Sequence, residues 1–326
     1  MVECLLRRSK DLVAINKVAG KWGTALQAAI NGDKNPYDTV QLLLDNGADP
    51  SIVGGWHGTP LNAAAFRHQY DVAKLLLQHL PSDKIDLVGE ADVMRQPYTP
   101  RLPRRILRWP NDFWSNQEFQ STGQTRWGRL PLHMAAMQGD WEMVQLLSSS
   151  TSTIHTRDKI GRNALHFAAG RGSSSVLRHI LNDKENVDLV NAVDIDGWTP
   201  LHWACRQLEN ETLQIIKDLK GMGADASART LDKWTPRHVA VFHDIYEPDI
   251  LKLLPKMMDD DDSLPCGPGK YIGALCDSCG CLTYDKRYKC KSENCVEFVL
   301  CFKYYRHAAN IHYGEHEFDD SPEPYT

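Results

Sequence analysis

A phrase recurs along this chain and leaves it few ways to fold. It reads "GTALQAA" from Gly23, "GTPLNAAA" from Gly58, "LPLHMAA" from Leu130, "NALHFAA" from Asn163, "WTPLHWAC" from Trp198 and "WTPRHVAV" from Trp234. The third position of its T-P-L-H element falls at Leu26, Leu61, Leu132, Leu165, Leu201 and Arg237, in steps of 35, 71, 33, 36 and 36 residues. A period of this size means stacked units, none of which buries its apolar face alone. The one double step means either a lost copy or an inserted loop.

Each copy carries the same local chemistry. Thr or Asn offers an oxygen to the unpaired N–H groups of a helix start. Pro follows where its missing donor is not needed. The Ala-Ala pair keeps the helix slim, so that a neighbour can approach. A second apolar run comes next: "TVQLLL" from Thr39, "VAKLLL" from Val72, "EMVQLL" from Glu142, "SVLRHIL" from Ser175, "LQIIKDL" from Leu213 and "DILKLL" from Asp249. Each suits a second helix with one buried stripe. "NGADP" from Asn46 and "GMGADA" from Gly221 place Gly just past that helix, where a left-handed cap is easiest for it. His133, His166, His202 and His238 belong to the phrase and read as hydrogen-bonding helix-start residues rather than ligands. The pattern resembles the ankyrin repeat over roughly residues 1–257, in the style of fungal proteins of large repeat families. That resemblance implies a mostly α fold, a solenoid of helix pairs with hairpin fingers. "VECLLRR" at the start resembles the second helix of an incomplete first copy. The last copy departs most, with Arg237 in place of the core Leu, as a soluble end to a stack requires.

Residues 91–125 carry no repeat phrase and divide the array into 1–90 and 126–257. They are rich in Pro and Arg, with Arg101, Arg104, Arg105 and Arg108 among Trp109, Phe113 and Trp114. Such insertions emerge as loops, often on the binding face. Tryptophans at 22, 56, 127, 198 and 234 precede the repeat phrase. They suit either packing between fingers or anchoring of a partner.

After Leu254 the composition changes. Residues 258–270 are acidic and then rich in Pro and Gly, and read as a linker. The segment 271–318 holds six of the chain's nine cysteines, and residues 319–326 form a short tail. About fifty residues need a staple to fold. Cys276 and Cys279 form C-x2-C, Cys290 and Cys295 form C-x4-C, Cys301 stands alone, and His312 and His316 form H-x3-H. Thiolate and imidazole in such pairs point to structural zinc. "CDSCG", "RYKC", "VLC" and "HYGEHEF" resemble the ZZ-type zinc finger, a small zinc-stabilised α+β module. That resemblance implies one zinc on Cys290, Cys295, His312 and His316. It implies a second on Cys276, Cys279, Cys301 and a fourth ligand where this chain has Tyr304. Cys281, His307, water or no ligand at all are the candidates for that place. The resemblance also implies capture of a peptide N-terminus, with Asp277 and Glu297 at the matching acidic positions.

The formal charge of −5 argues against a dedicated nucleic-acid binder, and no apolar run is long enough for a membrane span. The start lacks a secretory pattern, so an intracellular setting, cytoplasm or nucleus, is expected, with thiols reduced. No phosphate-binding loop, nucleophile elbow or H-E-x-x-H motif occurs, so no enzyme is expected. The reading is a monomeric, non-catalytic protein–protein adaptor with a protein partner on the repeat surface. The alternatives are substrate recruitment within a ubiquitin-ligase assembly and a chromatin-associated reader of N-terminal tails.

Overall fold

The structure is a computed structural model. It describes residues 15–19, 22–32, 36–55, 57–81, 128–150, 153–182, 184–206, 211–256, 271–275, 282–284, 287–291, 299–308 and 316–319. The chain forms two compact units, one carrying the repeats and one the cysteine-rich segment.

In the repeat unit each phrase starts a short helix and each following apolar run a second one. The pairs are α1 (Ala25–Gly32) and α2 (Tyr37–Asp45), α3 (Pro60–Phe66) and α4 (Tyr70–His79), and α5 (Pro131–Gln138) and α6 (Trp141–Ser150). They continue with α7 (Ala164–Arg171) and α8 (Ser174–Leu181), α9 (Pro200–Ala204) and α10 (Thr212–Gly221), and α11 (Pro236–Phe242) and α12 (Pro248–Leu253). First helices pack on first helices and second on second, which makes two layers. The seam between them is apolar: Leu26, Leu61, Leu132, Leu165 and Leu201 are buried, with Ala63–Ala65, Ala135, Ala136, Ala168 and Ala169. The small pair lets neighbouring helices close up, as the phrase predicts.

Helix α3 packs directly on α5, and α4 on α6. The Asn62 side chain donates to the Arg129 carbonyl at 3.4 Å, and His68 Nδ1 lies 2.9 Å from an Asp140 carboxylate oxygen. The double step is therefore an insertion between adjacent copies, not a missing copy. The insertion itself, 91–125, lies outside the described residues.

The caps follow the expected chemistry. Thr59, Thr199 and Thr235 accept from the N–H three residues on, and Asn163 accepts from Leu165 and His166. Leu130 has no oxygen to offer, so α5 keeps only the reciprocal half, in which the Leu130 N–H donates to His133 Nδ1 at 3.2 Å. Gly47 and Gly223 adopt φ of 85° and 91° past their helices, the left-handed conformation expected of them. Arg237, expected as a polar end residue, donates to the carbonyls of Leu251 and Leu254 at 3.0 and 2.8 Å, and so caps the last helix.

The histidines of copies three to five tie each of these copies to the next. His166 Nδ1 accepts from its own Asn163 N–H at 3.2 Å, while Nε2 donates to the Trp198 carbonyl at 3.1 Å. His202 repeats this with Thr199 N–H and the Trp234 carbonyl. A carbonyl only accepts, so Nε2 carries a proton, and the cap N–H that donates to Nδ1 makes that nitrogen the acceptor of a neutral ring. In the first copy Gln27 does the same work: its Oε1 accepts from Thr24 N–H at 2.8 Å and its Nε2 donates to the Gly58 carbonyl at 2.8 Å.

The second unit is built from short strands. β1 (Tyr271–Leu275) pairs antiparallel with β2 (Leu282–Tyr284). β3 (Arg287–Cys290) lies between β4 (Val299–Cys301) and β5 (Phe318–Asp319), both antiparallel to it. A four-residue helix, α13 (Phe302–Tyr305), follows β4. Among the described residues its ring packing is slight: Tyr288 and Tyr305 stack at 3.8 Å, and Phe318 meets Tyr305 edge-on.

Burial keeps three histidines neutral. The pKa values of His57, His133 and His166 are each lowered from 6.5 to about 4, chiefly by desolvation. The unfolded chain takes up protons below pH 6.5 and the folded chain does not. The stability these groups contribute is therefore complete above about pH 6.5 and is lost as pH falls towards 4, by roughly 1–3 kcal/mol each. We expect His166→Gln, which mimics Gln27, to stay within about 1 kcal/mol of the wild type at pH 7 and to flatten that acid slope. His166→Ala breaks both bonds and should lose about 2–4 kcal/mol. Urea denaturation at several pH values between 4 and 7 measures both; equal acid slopes for wild type and His166→Gln would contradict the assignment.

Candidate functional site

The faces of an array that can meet a partner are its fingers and the first-helix layer beside them. Each finger is a tight hairpin just before a first helix. Its inner corner is an acceptor five residues ahead of the helix cap: Asp158, Asp194 and Thr230. Asp158 accepts from the N–H groups of Ile160 and Arg162 at 3.1 and 2.8 Å. Asp194 accepts from Asp196 and Trp198, both at 3.0 Å, and Thr230 Oγ1 from Trp234 N–H at 3.0 Å. Successive fingers are joined by backbone bonds, Ile195 N–H to the Ile160 carbonyl at 3.0 Å and Leu231 N–H to the Asp196 carbonyl at 2.9 Å. Gly161 and Gly197 make that approach feasible. Each has φ near 80°, and a Cβ on either would lie about 3.1–3.2 Å from the next finger's backbone.

Behind the fingers runs a buried ladder of guanidinium and aromatic groups. Arg162 Cζ lies 4.5 Å from the Phe167 ring centre and 5.4 Å from that of Trp203. Arg129 adds a second cation over Phe167 at 5.3 Å. Arg206 stands over Trp203 and Trp198 at 5.2 and 5.6 Å. Asp158 Oδ2 accepts from Arg162 Nε and Nη2 at 2.8 and 2.7 Å. Trp203 Nε1 donates to Asp194 Oδ2 at 3.2 Å. All these side chains are buried, so copies three to five fill this face with their own rings and charges. Trp198 and Trp234 are buried here and Trp22 is half-buried, which decides for packing over partner anchoring at 198 and 234. Trp56 and Trp127 lie outside the described residues.

Sequence reading missed this ladder. Arg129 and Arg162 occupy the place that Trp198 and Trp234 hold in later copies, so an Arg/Trp exchange at one repeat position was the available signal. The recurring acceptor at 158, 194 and 230 was a second.

In the cysteine-rich unit the structure brings together two expected ligands. Cys290 ends β3, His316 lies two residues before β5, and Cys290 Sγ lies 3.5 Å from His316 Nδ1. Cys301 pairs directly with Arg287 across the β3–β4 ladder. Cys290 is three residues further along β3, so strand alternation sends it to the opposite face from Cys301. The Cys290 and Cys301 side chains are both buried. His307 follows α13 and is half-buried. Cys276, Cys279, Cys281, Cys295, His312, Asp277 and Glu297 lie outside the described residues. Among the described residues no group of three metal-ligating side chains occurs, and no helix is long and apolar enough to cross a membrane.

Comparison with known proteins matches residues 112–191 and 132–229 to a model of three ankyrin repeats, and residues 15–77 to a model of many. An ankyrin repeat domain-containing protein, SAT10 of Stachybotrys chartarum, is 30% identical over 347 residues, covering 91% of this chain and 18% of that protein. The human transient receptor potential cation channel subfamily A member 1 is 27% identical over 229 residues, 69% of this chain and 20% of the channel. The probable 26S proteasome regulatory subunit p28 of Saccharomyces cerevisiae is 33% identical over 112 residues, 34% of this chain and 49% of that subunit. The chain thus spans under half the length of each of these relatives.

The ladder makes a stability prediction. Arg162→Ala leaves the Asp158 carboxylate buried without its bidentate partner and should lose about 3–5 kcal/mol. Adding Asp158→Asn, which still accepts from the finger N–H groups, should recover part of that loss. Thermal unfolding of the two variants checks it; a double mutant no more stable than Arg162→Ala would contradict the pairing.

Proposed function

The chain is an ankyrin-repeat protein, and from that premise we propose a non-catalytic adaptor in which the repeat array engages a protein partner and a zinc-stapled ZZ-type module in the C-terminal segment supplies a second contact. Ankyrin repeats are protein–protein interaction modules, and the repeat unit has the exposed fingers that such contacts need. Two linked contacts gain through effective concentration.

The observation that carries the zinc module is the Cys290–His316 pair. Zinc binds thiolate sulfur at about 2.3 Å and imidazole nitrogen at about 2.0–2.1 Å in a tetrahedron. Two such ligands on one ion stand about 3.5 Å apart, the separation found between Cys290 Sγ and His316 Nδ1. Cys290, Cys295, His312 and His316 would hold this ion. Cys301 faces the other way, which suits a second ion shared with Cys276, Cys279 and a fourth donor from Cys281, His307 or water. The metal's chemistry there is structural: it cross-links the chain and supplies folding free energy on the order of 10–16 kcal/mol. The slight ring packing among this unit's described residues is consistent with a need for that energy. Thiolate ligands of this kind need a reducing compartment, so we place the protein inside the cell. The match to the fungal relative supports a shared tail. It covers 91% of the chain, more than the repeats, which end by residue 256 of 326, can supply.

The test is zinc content and tail protection in the full chain. Wild type should carry one tightly held ion and a partly filled second. His316→Ala should lose the first, and a chelator should abolish amide protection across residues 287–319 while leaving the repeats protected. A tail that keeps its protection in chelator refutes the zinc module and leaves the repeat-based role standing.

A further inference from the structure

We infer that the fingertips of copies four to six form a docking surface for an acidic partner segment that carries large apolar side chains. This inference rests on the adaptor reading and names the partner's chemistry.

The three fingers are bonded side by side through Ile195 N–H and Leu231 N–H, as described above. They therefore present one ribbon with a common outward face. Alternation along each finger sends residues six and four ahead of the helix cap outward, and the residue between them inward. The outward pairs are Arg157 and Lys159, Val193 and Ile195, and Arg229 and Leu231. The inward residues are Asp158, Asp194 and Thr230, all buried. Val193, Ile195 and Leu231 are 47%, 40% and 72% exposed. Leu231 has the highest exposure of any large apolar residue described.

Its neighbours on the ribbon set the charge. Arg157, Lys159, Arg229 and Lys233 surround the apolar centre, against one exposed carboxylate, Asp232. The Arg157 guanidinium donates to the Gly161 and Val193 carbonyls at 3.1 and 2.6 Å, which fixes its cation across the joint between two fingers. A cationic rim on a chain of net charge −5 is a local reversal, and it selects for anionic groups in the partner. Nucleic acid would meet the cations and leave three apolar side chains facing phosphate. A second copy of this chain would set cation against cation. An extended segment with apolar residues among Asp and Glu satisfies both parts of the surface. The face behind the fingers in copies three to five is already filled by the Arg–aromatic ladder, so on the finger side of the array the exposed apolar side chains stand at the tips.

The probe is a short fluorescein-labelled peptide with leucines set among glutamates, titrated into the full chain at low and high salt. Two controls replace its glutamates by lysines or its leucines by serines. Wild type should bind the probe saturably, more weakly at high salt, and bind both controls at least tenfold more weakly. Ile195→Ser/Leu231→Ser should lower affinity at least tenfold. Lys159→Glu should lower it severalfold and flatten the salt dependence. These side chains are exposed, so melting temperature and zinc content should not change in either variant. Those two readouts separate failure of this surface from failure of the adaptor reading. Absence of saturable binding, equal binding of the lysine control, or indifference to the tip substitutions overturns the inference. So does a wild-type dimer in sedimentation that Ile195→Ser/Leu231→Ser dissolves, since the patch would then belong to a second copy.

Discussion

In copies one, three, four and five a single side chain holds two things at once: the start of its own helix and the backbone of the next copy. His166 and His202 do this through the two nitrogens of a neutral imidazole, and Gln27 through an amide. Apolar burial alone would let helix pairs slide or rotate over one another, because it has no direction. The buried donor bond has direction. A shift of one residue would leave an N–H or a carbonyl unpaired in the interior, at about 1–3 kcal/mol each. The stacking register of the array depends on this bond, and everything on the finger side depends on that register.

The insertion shows how local the rule is. Copies two and three are separated by twice the usual chain length, yet Asn62 still reaches the Arg129 carbonyl and the helices pack as in any other pair. In a quasi-one-dimensional array each unit answers only to its neighbours. A long excursion between two of them changes neither interface if it leaves and returns at the same loop. For the same reason one copy can trade Thr for Leu130 at its cap, keeping half the hydrogen bonds, without loss of the fold.

Most of the repeat unit was legible because its determinants lie within a few residues of one another: the cap and the His three residues after it, the Ala pair, the Gly after the second helix. The double step was ambiguous in sequence, since chain length does not say whether two phrases touch. The Arg–aromatic ladder was not legible at all. Arg162 and Trp203 are 41 residues apart in sequence, and their contact exists only once the stacking register is set. Read singly, Arg129, Arg162 and Arg206 look like surface residues, and the tryptophans nearby suit either packing or a partner's anchor. The structure buries both kinds of side chain, because a guanidinium held by Asp158 and sandwiched between rings can be buried while still charged. In the cysteine-rich segment the sequence proposes a set of ligands, and of these the described residues place Cys290 beside His316. The pairing of β3 with β5 puts that pair in reach, a long-range fact that C-x4-C and H-x3-H spacings do not contain.

The ladder also bears on how such an array divides its surface between stability and recognition. Fingers that stack tightly need acceptors and glycines on the inner side, and these leave the alternate, outward positions outside the buried interface, where Arg157 reaches across the joint to the next finger. In copy four those positions hold Arg157 and Lys159, and in copy five Val193 and Ile195, with the same finger geometry beneath them. Backbone bonds between fingers do not depend on what the outward side chains are. The outward positions can therefore vary without disturbing the stack, while the inward ones cannot. A chain that fills its groove with its own arginines and indoles gives up the concave face as a variable surface and leaves the tips as the place where its copies still differ.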